Sequence, residues 1–242
     1  MQKCGRVRHS STVELRMADG RASYGGLVTC GAVWLCPPCQ AKIAAYRSLE
    51  VAAVTEWAEA NGVAMFFGAL TVHHGPNDPL PMSLGTLNRS WRRLIQGAGW
   101  QQIVDAAGGQ IQFIRSLEIN IGANGWHPHL HPLVLMPRAA GRGAAEHAVQ
   151  DMLGRWVQIV VAEGGRVSVD AQQLAWVENA PDVGAYITDQ TYQGKASRVD
   201  LEMTTSQSKS GFGRAKGTKS HWSIIENLAN SNADNAHYVS SP

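Results

Sequence analysis

The most constraining feature of this chain is a pair of apolar runs joined by Gly122-Ala123-Asn124-Gly125. The first run covers 111–121; the second begins Trp126-His127-Pro128-His129-Leu130-His131 and continues apolar through 133–136. Turn residues between two such runs predict a β-hairpin. Side chains alternate faces along a strand, so His127, His129 and His131 share one face, while Leu130 and Val134 point to the other, toward a core. Two imidazoles one pleat apart can hold a divalent ion.

The hairpin also places a carboxylate. An Asn124-Gly125 type I′ turn pairs Ala123 with Trp126 and Glu118 with His131; a four-residue loop over 122–125 pairs Glu118 with His129 instead. The two registers differ by an even shift, so Glu118 lies on the histidine face in both. An unpaired carboxylate in an apolar strand is costly. The competing expectation is an ion pair with Arg115 or another cation. The favoured one is a metal set of His129, His131 and Glu118 with open positions for Mg²⁺ or Mn²⁺.

Around the hairpin the sequence predicts a helix over 40–60 closed by Asn61-Gly62, and a strand over 63–73. A proline-rich loop follows, then a helix capped by Ser83 and running to 95. Beyond the hairpin come an amphipathic helix over 144–162 ended by Gly164-Gly165, a strand-like stretch over 166–177, a helix opened by Pro181 that carries Tyr186, and a short helix over 222–228. From residue 63 the order is β-α-β-β-α-β and then a helix. That predicts an α+β fold of the ferredoxin-like split βαβ kind: a central antiparallel sheet with helices on one face and the other face free for a site. The expected organisation is a small cysteine-rich module over 1–39, a main domain over 40–229 and a disordered tail over 230–242.

All four cysteines, Cys4, Cys30, Cys36 and Cys39, fall in the first of these regions. That clustering, with a Cys-Pro-Pro-Cys turn, suits a structural zinc site better than disulfides, with His9 as a possible substitute for Cys4. No apolar leader and no run of about 20 apolar residues is present, which predicts a cytoplasmic protein. Net charge is only +2, so nucleic-acid binding must rest on local patches. Candidates are Arg6, Arg8, Arg16 and Arg21 beside the cysteines; Arg89, Arg92 and Arg93 on a helix with Trp91; and Lys209, Arg214, Lys216 and Lys219 in a glycine-rich stretch.

A His-hydrophobe-His strand beside an acidic strand, followed by a helix bearing tyrosine, resembles the HUH endonucleases, and among them the plasmid rolling-circle replication initiators of actinobacteria. The matching stretches are Cys30-Gly31-Ala32-Val33-Trp34-Leu35-Cys36-Pro37-Pro38-Cys39, Leu70-Thr71-Val72-His73-His74, Gly125 to His131, Ala185-Tyr186-Ile187, and Leu201-Glu202-Met203-Thr204. The resemblance implies a metal-dependent single-strand nickase and strand transferase in which Tyr186 attacks a phosphodiester and remains on the 5′ phosphate. Many relatives carry lysine three residues after the tyrosine; here Asp189 stands there, and Tyr192 with Lys195 is the rival nucleophile. Asp182, one helical turn before Tyr186, either activates water to end the reaction or complements the helix dipole. No Gly-x-x-x-x-Gly-Lys-Ser/Thr loop is present, so the expected partners are origin DNA and a host helicase and polymerase. The alternatives are an HUH-type transposase or relaxase, or a non-catalytic zinc-containing DNA-binding regulator.

Overall fold

The computed structural model describes residues 3–18, 21–137, 141–178 and 219–220. A hairpin of β1 (Glu14–Ala18) and β2 (Arg21–Gly25) precedes α1 (Pro37–Ala60), β3 (Ala64–Thr71), α2 (Leu80–Leu94), α3 (Gly97–Ala106), β4 (Gln112–Gly122), β5 (Gly125–Met136), α4 (Arg142–Ala162), β6 (Gln173–Trp176) and β7 (Lys219–Ser220). The architecture is α+β. Among the described residues the main sheet has five strands in the order β6-β3-β5-β4-β7, each antiparallel to its neighbours.

Each face of this sheet has its own core. On one, Phe66, Leu70, Leu130, Val134 and Met136 pack against α2, α3 and α4. The helices supply stripes that recur every three or four residues: Ser83, Thr86, Leu87, Ser90, Trp91 and Leu94 from α2, and Ala145, Ala148, Val149, Met152, Trp156, Ile159 and Val160 from α4. Arg155 of α4 donates to the carbonyls of Arg93 and Leu94, which end α2, and of Gln96, which precedes α3. On the opposite face, Met65, Phe67, Leu133 and Leu135 pack against Val51 and Ala58 of α1.

That second core corrects the expected layout. The face beyond the three helices is not wholly free, because α1 covers its Phe67–Leu133 end, while among the described residues Glu118, His129 and His131 lie beyond that contact and are themselves largely buried. Other boundaries also shift. Ser83 lies inside α2, which starts at Leu80 because prolines are tolerated in a first helical turn, and its hydroxyl turns back to the Leu80 carbonyl. Helix α3 was not expected; its glycines weaken the helical signal, and Gly99 is where Arg155 crosses its backbone. Of the strand-like stretch 166–177 only Gln173–Trp176 is a strand. Val169–Ala171 forms a 3₁₀ turn instead, closed by the Gln172 side chain donating to the Ser168 carbonyl. The cysteine-rich region, for which no element was predicted, contains the β1–β2 hairpin.

Asp182, Tyr186, Asp189, Tyr192, Lys195, Lys209, Arg214, Lys216, the helix expected over 222–228 and the tail over 230–242 lie outside the described residues. Among the described residues, no helix is long and apolar enough to cross a membrane.

Candidate metal centre

The β4–β5 register sets the site. Gly122 pairs with Gly125, so Ala123 and Asn124 form the turn, one residue earlier than an Asn124-Gly125 turn would sit. Glu118 therefore stands opposite His129, the register expected of the longer loop. The backbone explains why. Gly125 takes φ +82, and its α-carbon faces the Gly75 carbonyl so closely that no side chain fits. His74 reinforces the contact, its Nδ1 lying 2.7 Å from the Asn124 carbonyl oxygen.

Glu118 is buried, and one of its oxygens, Oε2, meets both His129 Nε2 and His131 Nε2 at 3.1 Å. The other ring nitrogens face carbonyls: His131 Nδ1 lies 3.1 Å from the Gly68 oxygen and His129 Nδ1 3.3 Å from the His127 oxygen. An Nδ1–H donated to a carbonyl leaves the Nε2 lone pair pointing inward. Two inward lone pairs and a carboxylate oxygen repel one another unless protons or a cation lie between them. This donor set of two imidazoles and one carboxylate, all within 4.8 Å of one another, fits a divalent ion. Asn120 donates to Glu118 Oε1 at 3.1 Å and so holds the carboxylate in place. Burial works against the charged carboxylate, but the hydrogen bonds and charges of His129 and His131 outweigh it and hold Glu118 well below the usual carboxylate range. Arg115 is not its partner. It projects from the other face of β4, over the Trp91 ring.

The imidazoles continue as a row. Ring centroids lie 4.7 Å apart from His131 to His129, 4.9 Å from His129 to His127 and 4.6 Å from His127 to His74. His127 Nε2 lies 3.0 Å from the Thr71 hydroxyl oxygen. Burial, and then the imidazoles of His129 and His74, bring His127 down to about 4. Sequence reasoning did not give site roles to Thr71, His74 or Asn120. Asn120 was findable, since it lies two residues from Glu118 on the same strand face.

The four cysteines form a second cluster. Cys4 Sγ lies 3.3 Å from both Cys36 and Cys39, and Cys30 lies 3.6 Å from Cys39. Zinc–sulfur bonds of about 2.3 Å would set four ligands about 3.8 Å apart, and the thiols already lie close enough together to share one metal ion. Cys4, not His9, completes the group. Gly5 and Gly31, each at φ +68, turn the backbone just after Cys4 and Cys30. Cys36 and Cys39 sit at the N-terminus of α1, where free backbone amides favour thiolates. Burial raises the Cys39 thiol, yet hydrogen bonds from Cys4, the Gly31 backbone and Cys30 outweigh it and bring it down to about 7.

The helix-borne cations fall elsewhere. Arg89 and Arg93 both pair with Glu163, at 2.8 and 2.6 Å, and Trp91 is buried in the core. Because α2 packs on the face opposite the histidines, the sheet separates Arg89, Arg92 and Arg93 from the metal centre. Lys219 lies in β7, whose backbone pairs with Ile121 of β4.

Residues 28–158 match the family described as replication protein. The chain is 29% identical over 240 residues to "Protein rep" of Streptomyces lividans, covering 79% of this chain and 52% of that protein. It is 34% identical over 146 residues to "Neomycin resistance protein" of Streptomyces cyanogenus, covering 50% of this chain and 33% of that protein. It thus spans about half and a third of the lengths of these curated relatives. No solved structure matches. The family match covers more than half of the chain and includes three of the four clustered cysteines and the whole Glu118–His129–His131 set, and the resemblance to actinobacterial replication proteins is borne out: this chain belongs to the replication protein family.

Proposed function

We propose that this protein initiates plasmid rolling-circle replication as an HUH endonuclease that nicks and rejoins one DNA strand through a 5′-phosphotyrosine. The observation that carries the proposal is the convergence of Glu118, His129 and His131 on one sheet face, in a member of a replication protein family. The strand order β6-β3-β5-β4, in which β5 separates β3 from β4 and β3 separates β5 from β6, supports the split βαβ reading.

Glu118, His129 and His131 would hold Mg²⁺ or Mn²⁺, which when bound polarises a scissile phosphate. The chain's own residues do the rest. Tyr186, or its rival Tyr192, supplies the phenolic oxygen that attacks phosphorus; the phosphorus–O3′ bond breaks and the 3′ oxygen leaves as a hydroxyl. The phosphotyrosine keeps the bond energy for rejoining. Asp182 is assigned the activation of the water that ends the cycle. Glu118 and Asn120 orient the site, and Phe67 and Leu133 close its inner end to water. The cysteines hold structural Zn²⁺, and 1–39 acts as a module upon the endonuclease domain 40–229. Arg89, Arg92, Arg93, Lys209, Arg214, Lys216 and Lys219 contribute general attraction to the origin strand, while a host helicase and polymerase, in the bacterial cytoplasm, extend the nick.

The test is a covalent adduct. Incubation with single-stranded plasmid origin DNA and Mn²⁺ should give a protein–DNA band that survives denaturation. The band should vanish in Tyr186→Phe and in the double variant His129→Ala/His131→Ala, with DNA binding retained. Loss in Tyr192→Phe alone would move the nucleophile to Tyr192. Persistence in the double tyrosine variant would end the tyrosine mechanism.

A further inference from the structure

Between Cys4 and Cys30 the chain runs out and back as a two-stranded ribbon. The β1–β2 register runs from Glu14–Gly25 to Ala18–Arg21. Toward the base, His9 N donates to the Gly26 carbonyl, Arg8 bridges Leu27, Val28 N donates to the Val7 carbonyl and Gly5 N to the Val28 carbonyl. The cysteine cluster closes this base, so a bound ion there would pin both strands.

The arm is built unlike a structural hairpin. Leu15 and Tyr24 are cross-strand partners and Met17 faces Ala22, which puts one apolar face on the ribbon. That face is open to solvent: Leu15 is 64% exposed, Met17 67% and Tyr24 67%. A two-stranded hairpin is marginal on its own in water, and contiguous exposed apolar side chains usually mark a contact surface. The arm is also basic. Lys3, Arg6, Arg8, Arg16 and Arg21 against Glu14 and Asp19 give residues 1–39 a charge of +3, whereas the whole chain carries +2. Positive charge is thus concentrated beside the exposed aromatic and absent, on balance, from the rest. Arg16 is paired with Glu14 at 2.9 Å, but both ends of the pair are well exposed, so it opens at little cost.

We infer that this ribbon is a second nucleic-acid contact, which holds single-stranded DNA with Arg6, Arg8 and Arg16 on phosphates and with Tyr24, Leu15 and Met17 against the apolar faces of unpaired bases. By strand alternation Arg16 points to the face opposite Tyr24, so a single strand crossing the ribbon's edge can stack bases on Tyr24 while its phosphates reach the cations. Such a combination of aromatic and cations grips single strands without reading sequence. The inference rests on the reading of the chain as a DNA-acting protein, but not on the nicking chemistry.

The test uses the full zinc-loaded chain and a fluorescent 20-nucleotide oligothymidine, with a 20-base-pair duplex for comparison, followed by anisotropy across a salt series. Tyr24→Ala should weaken oligothymidine binding about tenfold. Arg6→Ala/Arg8→Ala/Arg16→Ala should reduce the slope of log affinity against log salt by about 2. Unchanged zinc content and melting would show that the fold is retained; should the triple variant not fold, Tyr24→Ala, an exposed position, carries the test. The same Tyr24→Ala loss in a His129→Ala background would uphold the arm even where no cleavage occurs. Three outcomes overturn the inference: wild-type oligothymidine affinity in Tyr24→Ala and in the arginine variant, a loss confined to the duplex, or a change in sedimenting mass on Tyr24→Ala with oligothymidine binding intact, which would make the apolar face a protein contact.

Discussion

Gly125 lies against Gly75 so closely that a β-carbon at position 125 would stand 2.5 Å from the Gly75 carbonyl oxygen. The contact joins the β5 end of the hairpin turn to the loop that follows β3, and it sits beside His74, at one end of the imidazole row. Gly125→Ala adds that clash to a left-handed backbone of φ +82. It should destabilise the protein by about 1–3 kcal/mol in urea denaturation. It should also weaken metal binding, because the strand carrying His127, His129 and His131 must shift. A loss under about 0.5 kcal/mol would show that the loop simply moves aside.

Glu118→Gln keeps the size of the side chain and removes its charge. Asn120 still has an oxygen to donate to, so the fold should persist. Affinity for Mn²⁺, read by isothermal calorimetry, should fall by about tenfold or more, since even supporting residues of metal sites matter on that scale. An unchanged titration would make Glu118 a structural partner of protonated histidines.

Gln172 joins three parts of the molecule. Its Oε1 accepts from the Trp156 indole at 3.0 Å and from the Thr71 amide at 2.9 Å, while its Nε2 donates to the Ser168 carbonyl at 2.8 Å. Gln172→Leu leaves the buried indole donor of Trp156 and the Thr71 amide without this acceptor. The expected cost is about 2–4 kcal/mol by chemical denaturation. A loss under about 0.5 kcal/mol would show that another acceptor takes the place of the shared oxygen.

The cysteine cluster should respond to pH in a definite direction. Cys39 is brought down to about 7 in the folded chain from an ordinary value of 9.0. Between these values the unfolded chain binds the extra proton, so the stability of zinc-free protein should rise as pH increases from about 7 to about 9 and be lost as pH falls through 7. Cys39→Ser should flatten that rise in thermal melts and abolish stoichiometric zinc. A pH slope that survives the substitution would place its origin elsewhere.

The histidine face was legible in the sequence because its determinants are local. Strand alternation fixes which side His129 and His131 share, and either even register of one hairpin carries Glu118 to the same side. Four cysteines with little else to pack against were legible for a similar reason. Their residue type limits what they can do, and the fold groups Cys4 with the other three, as the sequence favoured.

Tertiary structure alone decided what stands around these residues. Helix α1 is apolar on more than one side, so no stripe in its sequence says which side meets a sheet; the structure puts Val51 and Ala58 on Phe67 and Leu133 and leaves Trp57 exposed. Arg89 and Arg93 look like phosphate ligands until Glu163, 70 or more positions later in the sequence, comes into contact with both. The partnership of His74 with His127 and Asn124 depends on two loops that meet only after the sheet has formed. Alternation and residue chemistry act within a few residues along the chain, whereas coverage of a face and pairing of charges depend on segments that approach only through folding.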